Sequence, residues 1–206
     1  MILVPYSEVS EQAGDSRRRL KEADVLLFRG EGLMSWMIKR YGGGAHSHAA
    51  MVHWDDDDLQ CIEFREFKGG RIVAMKSQVE THPNNIDVFR AADLISIGGR
   101  KYNLDYGENS VAERITDTMK GITGLDYGWK NFWKLAKHYA PFFRLAEQNM
   151  KDEEPNEVFV CSTAVTYAYR KDYLDPTPYL ADSATTPADL ARSALFSYQF
   201  TIQKDW

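Results

Sequence analysis

Four consecutive aspartates, Asp55 to Asp58, separate two stretches rich in apolar residues, Ser47-His48-Ala49-Ala50-Met51-Val52-His53-Trp54 and Leu59 to Phe67. A break this short between two strand-like runs permits only a hairpin, because parallel neighbours need a crossover of a dozen residues or more. The pattern continues on both sides. Asp24-Val25-Leu26-Leu27-Phe28-Arg29-Gly30 is an apolar run closed by glycine, Arg71 to Met75 follows Gly69-Gly70, and Ile86 to Arg90 adds a fourth member to an antiparallel meander.

Helical character surrounds this sheet. Residues 7 to 22 read as a short surface helix, and Leu33 to Tyr41 as a helix ending at Gly42-Gly43-Gly44. From Ala91 to Asn149 the chain reads as helical, clearest at Ser110 to Met119 and at the aromatic-rich Trp129 to Met150; Lys151 to Glu157 is an acidic loop. Val158 to Tyr169 forms a buried helix opening close to Cys161, and Asp175-Pro176-Thr177-Pro178 breaks it. Thr186-Pro187 supplies a capping residue and a proline at the first helical position, and Tyr198 to Ile202 is a last strand. The class is α+β, an antiparallel sheet packed against helices. One domain over 1–206 is expected, with a helical, aromatic-rich insertion at about 91–156.

The 206 residues carry 25 basic and 30 acidic side chains, a formal net charge of −5. That balance lacks the basic face a nucleic-acid partner requires. The one dense basic run, Arg17-Arg18-Arg19-Leu20-Lys21, reads as a solvated helical face. At 44% hydrophobic and 13% aromatic the chain is globular. Two cysteines exclude a disulfide scaffold, and there is no Cys-x-x-Cys pair. No apolar run approaches the roughly 18 residues of a membrane span, and Met1 to Glu8 lacks a basic, then apolar leader. A cytoplasmic protein is the expectation, and a phage or virion origin is compatible with the same features.

Cys161 is the most informative residue. In the first turn of a helix a thiol lies beside unpaired backbone N–H groups and the positive end of the dipole, which favours thiolate and offers donors to an oxyanion. The plain alternative is a structural thiol in the core. A nucleophilic thiol needs a base, and the base needs a third group to orient it. His48 opens a strand after the glycine-rich loop, and Glu63 lies on the partner strand across the aspartate turn, where it can accept from the His48 ring. Glu63 reads equally as an outward-facing strand residue. Cys61 reads as a core thiol. His46, beside three glycines, reads either as a solvated loop residue or as part of a cleft mouth that binds substrate.

The ordered set Asp24-Val25-Leu26-Leu27-Phe28, Ser47-His48-Ala49-Ala50-Met51-Val52, Ile62-Glu63-Phe64 and Phe159-Val160-Cys161-Ser162-Thr163 resembles the circularly permuted branch of the NlpC-type papain-like superfamily, the YiiX-like group related to lecithin:retinol acyltransferase. Gly124-Leu125-Asp126-Tyr127 and Thr186-Pro187-Ala188-Asp189-Leu190 are similar to segments flanking the cysteine helix in that family. The likeness spans roughly residues 20 to 200. It implies Cys161 as nucleophile, His48 as general base, Glu63 as the orienting group and Tyr127 as a pocket-lining residue. The implied activity is hydrolysis or acyl transfer at an amide or ester bond, on a peptide, a peptidoglycan fragment or a lipid-like acyl substrate, with no metal or organic cofactor. Two other classes stay open: a non-catalytic binding module using the aromatic stretch 127–143, and a zinc protein drawing on His46, His48, His53, Cys61 and Cys161.

Overall fold

The computed structural model describes residues 1–10, 18–31, 33–82, 85–92, 94–97, 100–104, 110–126 and 160–205. Its centre is a seven-stranded sheet built from β1 (Leu3–Pro5), β2 (Val25–Phe28), β3 (His48–Asp55), β4 (Asp58–Arg65), β5 (Gly69–Ala74), β6 (Ile86–Ala91) and β9 (Phe196–Gln203). The spatial order is β1-β9-β6-β2-β3-β4-β5. Every neighbouring pair is antiparallel except β1 and β9, which run parallel. A second, two-stranded antiparallel sheet pairs β7 (Leu94–Ile97) with β8 (Arg100–Asn103).

The helices among the described residues are α1 (Tyr6–Ser10), α2 (Leu33–Gly42), α3 (Met75–Thr81), α4 (Val111–Gly121), α5 (Cys161–Lys171) and α6 (Pro187–Arg192). They cover the sheet on both faces, and β2 is accordingly apolar at all four positions. Val25 and Leu27 face Ala49, Met51, α4 and α5, whereas Leu26 and Phe28 face Ala50, Val52 and the α3 residues Met75 and Val79. Burial of α4 at Ala112, Ile115, Thr116 and Met119 follows the helical period, and the Ser110 hydroxyl caps it by accepting from the Glu113 N–H. Thr186 and Asp189 form a reciprocal capping box on α6, with Pro187 in its first turn.

The aspartate turn is as expected: Trp54 pairs with Leu59 and Asp55 with Asp58, and Asp56 takes the left-handed conformation that aspartate tolerates. At the far edge, the Gly70 N–H donates to the Leu125 carbonyl and the Gly124 N–H donates to the Gly70 carbonyl. Gly69, at φ +66°, permits that approach, since a Cβ there would lie 2.5 Å from the Leu125 oxygen.

Several expectations are corrected. Ile86–Ala91 does not extend the meander beyond β5; α3 carries the chain back, and β6 pairs with β2 instead. Within 91–149, Leu94–Ile97 and Arg100–Asn103 pair as antiparallel strands rather than helix, consistent with the strand propensity of isoleucine and tyrosine. The helix expected over 7–22 is confined to Tyr6–Ser10 among the described residues. Residues 18–21 of the basic run after it are not helical, and Arg18 is not solvated: it stacks 4.1 Å over the Trp54 ring and donates to the Asp56 carbonyl and the Asp57 carboxylate. β1 had no signal of its own. The expected helix 129–150 and loop 151–157 lie outside the described residues.

Candidate functional site

Cys161 is the first residue of α5, following Val160 in extended conformation, and is 5% exposed. Val160 offers no side-chain cap, so its side chain leaves the first-turn N–H groups unclaimed. The two residues after Cys161 tie the helix start down: the Ser162 hydroxyl donates to the Thr185 carbonyl at 2.6 Å and that of Thr163 to the Asp182 carbonyl at 3.2 Å. Farther along, the Tyr169 hydroxyl donates to the Ala23 carbonyl at 2.7 Å, fixing α5 against the segment that leads into β2.

His48 is the first residue of β3, opposite Phe28 in the ladder, with the two rings 5.2 Å apart. Its Nε2 lies 2.7 Å from Oε2 of Glu63, which is fully buried. A carboxylate only accepts, so Nε2 carries the proton. The Cys161 thiol lies near enough to the His48 ring to favour its charged form. With Nε2 committed to Glu63, Nδ1 is the nitrogen left for the thiol. By residue parity His48 and Glu63 belong to the face of Phe28, Ala50 and Cys61, while α5 packs on the other. The junction is possible because His48 stands at the end of its strand.

Glu63 is held from three further sides. Its Oε1 accepts from Arg71 Nε at 2.9 Å, from Arg71 Nη2, and from Gln78 Nε2 at 3.2 Å; Arg65 Nη1 lies 3.9 Å from Oε2. Burial alone would raise the Glu63 pKa, yet the hydrogen bonds and charges of His48 and Arg71 prevail and hold it well below the usual carboxylate range. For His48 burial disfavours the charged ring, but the hydrogen bonds and charges of Cys161 and Glu63 outweigh it and push its pKa well above that of ordinary imidazole. His82 also lies against Phe28, the two rings 4.6 Å apart. Burial first, then the His48 charge, lower its pKa to about 4.

The structure thus brings Cys161, His48 and Glu63 together. It does not gather the other candidates. His46 is no solvated loop residue: it is 8% exposed, with Nε2 2.7 Å from Asp87 Oδ2. Asp87 also accepts from Arg29 at 3.0 and 2.6 Å and from the Thr201 hydroxyl at 2.7 Å. Burial opposes its ionisation, but these partners hold its pKa down at about 2. His53 pairs with Glu22 at 2.8 Å. Cys61 is a free, fully buried thiol whose pKa burial pushes up, as a core residue's should be. Tyr127 lies outside the described residues. The pairing of Glu63 with Arg71 was not expected: the β4–β5 turn falls at residues 66–68, ahead of Gly69-Gly70, and only in that register does Arg71 stand directly opposite Glu63. Gln78 and Asp87 left no trace either, because α3 and the return of β6 to β2 were not apparent.

No family model matches the chain, and no curated protein matches it. Among solved structures the fold is similar to the crystal structure of the metalloprotein yiiX from Escherichia coli O157:H7, DUF1105, with a TM-score of 0.57 at 12% identity, covering 91% of this chain and 99% of that one. The two share a mixed α+β architecture with a YiiX-like fold. Among the described residues no group of three or more His, Cys, Asp or Glu side chains is arranged to hold a metal ion. The histidines and Cys61 are dispersed, His46 to Asp87, His53 to Glu22 and Cys61 to the core. Among the described residues no helix is long and apolar enough to cross a membrane.

Proposed function

We propose that this protein is a cysteine hydrolase or acyltransferase acting on an amide or ester bond through Cys161, His48 and Glu63, on a circularly permuted papain-like fold. The observation that carries the reading is the His48 ring bound to the buried Glu63 carboxylate, with the Cys161 thiol beside it at the start of a helix. The sequence order of histidine, carboxylate and then cysteine supports the permuted arrangement.

In the proposed reaction His48 Nδ1 takes the thiol proton, and the Cys161 sulfur attacks the carbonyl carbon. The carbonyl oxygen becomes an oxyanion facing backbone N–H groups at the start of α5, including that of Cys161. Collapse of the adduct breaks the bond to the leaving group, which takes the proton from Nδ1 and leaves a thioester on Cys161. Water, or an acceptor hydroxyl or amine, gives its proton back to His48 as it attacks the thioester, and the C–S bond breaks to restore the thiol. Glu63 keeps Nε2 protonated and the ring oriented throughout. Peptides, peptidoglycan fragments and lipid-like acyl groups are the candidate substrates.

The test is labelling with electrophilic activity-based probes, the modified residue being mapped by mass spectrometry. Labelling at Cys161 that disappears in C161A and falls steeply in H48A is expected. A Cys161 that reacts no faster than a simple thiol, and is indifferent to H48A, would refute the proposal and favour a binding module on the same fold.

A further inference from the structure

Catalysis as proposed makes a demand on Glu63 that hydrogen bonding to His48 alone does not meet. While His48 is protonated, the buried carboxylate has a cation beside it. When His48 hands its proton to the leaving group, that cation vanishes and a fully buried carboxylate stands to be left without compensation, a costly state. The chain carries a second cation for this site. Arg71 sits directly across the β4–β5 ladder from Glu63, and two of its guanidinium nitrogens reach Oε1. Gln78, itself buried, gives the same oxygen its amide hydrogen while its own Oε1 lies 3.4 Å from Arg65 Nη1, an arrangement that fixes which way the amide points.

All three of these bonds fall on Oε1 and the His48 bond falls on Oε2. The carboxylate is therefore held by one oxygen and presented by the other. Resting on the catalytic reading above, we propose that Arg71, assisted by Gln78, is a positioning residue of the Cys161–His48–Glu63 chain: it fixes the carboxylate that orients the base and keeps it charge-paired when the base is neutral. The groups facing Glu63 are His48 from β3, Arg71 from β5, Gln78 from α3, and Arg65 and Cys61 from β4 itself; those facing His48 are Cys161 from α5, Glu63, and His82 at the end of α3. Arg71 supplies two donors to Glu63, where Arg65 stands at 3.9 Å in a single contact.

The test compares Arg71→Gln and Arg71→Lys with the wild-type chain. The first readout is the titration of the His48 ring by NMR, which reports the clamp whether or not any substrate is turned over. Removing the positive charge leaves Glu63 dependent on His48 for compensation, so in R71Q the His48 midpoint rises by about one unit or more. R71K keeps the charge, and its midpoint stays closer to wild type. A midpoint in R71Q that is unmoved or lower overturns the inference, as does an R71K midpoint that follows R71Q. The second readout is the pH dependence of iodoacetamide labelling at Cys161. Both limbs shift to higher pH in R71Q: Glu63 takes up a proton sooner on the acid side, and His48 gives its proton up later on the alkaline side. Where R71Q does not fold, Gln78→Met carries the test, because loss of one donor to Oε1 raises the acid limb in the same direction; a limb that stays in place overturns the inference. A Cys161 that is unreactive in the wild-type chain, alongside the expected NMR shift, defeats the catalytic reading and leaves the clamp standing as an electrostatic device.

Discussion

Glu63 and Cys161 approach a single imidazole from elements on opposite faces of the sheet. Glu63 shares its face with α3 and accepts from Nε2 of His48, while Cys161 comes from α5 on the other face. The arrangement requires His48 to stand where a strand begins, since a residue in mid-strand is screened from the opposite face by the sheet itself. This constraint makes the site sensitive to small displacements, and it yields checks on each part.

Glu63→Gln keeps the shape of the side chain and removes its charge. Arg71 then lies beside a neutral amide and His48 loses its anionic acceptor. Labelling of Cys161 at neutral pH is expected to fall on the order of 100-fold, and the midpoint of urea unfolding to drop by an amount corresponding to about 3 kcal/mol. An unchanged labelling rate would remove Glu63 from the catalytic chain.

The two cysteines should differ sharply. Cys61 is fully buried with its pKa pushed up, while Cys161 is held at a helix start beside an imidazole. Iodoacetamide under native conditions is expected to modify Cys161 alone, with Cys61 reacting only after denaturation. Native modification of Cys61 at a comparable rate would contradict the described packing.

His48 and His82 affect stability with opposite sign. The folded pKa of His48 is raised, so its contribution is fully present below the unfolded value of 6.5 and is lost as pH rises through the folded value. The folded pKa of His82 is lowered to about 4 from 6.5, so the unfolded chain takes up that proton first and stability declines as pH falls across this interval. Replacing His82 with Phe should flatten the profile of unfolding free energy between about pH 6.5 and 4, measured by urea titration at several pH values. A slope equal to that of the wild-type chain would show that His82 is not the source.

Thr186→Ala removes the hydroxyl half of the α6 capping box. A loss of about 1 kcal/mol is expected from chemical denaturation, with Cys161 labelling nearly unchanged, because the contact that holds the start of α5 is made by the neighbouring Thr185 carbonyl rather than by the Thr186 side chain. Serine at 186 restores the stability.

Local patterns carried much of this in the sequence. The aspartate turn, the β2 run closed by glycine, the Ser110 to Met119 period and the Thr186-Pro187 start each depend on neighbours a few residues away, and each appears within a few residues of its expected bounds. His48, Glu63 and Cys161 were legible through their placement on such elements. What escaped depended on distant pairing. β1 is a strand because β9 is beside it, and β6 returns to β2 because α3 carries the chain across. Asp87 acquires His46 and Arg29 through that return, and Thr201 through its pairing with β9 on the other side. His46 illustrates the loss: flanking glycines suggested solvent, whereas a buried carboxylate from a strand far along the chain captures its ring.

The turn at Gly124 and Leu125 that closes on Gly70 determines more than the appearance of the sheet's edge. With both polar backbone groups of Gly70 engaged, β5 offers no free rung at that point to a strand from another molecule. The same contact acts as a registration pin. A slip of β5 by one residue would turn Arg71 to the other side of the sheet and leave Glu63 facing an unmatched position. The fidelity of the carboxylate's charge pairing is thus set by a glycine at the rim, in a turn that contributes no side chain to the chemistry.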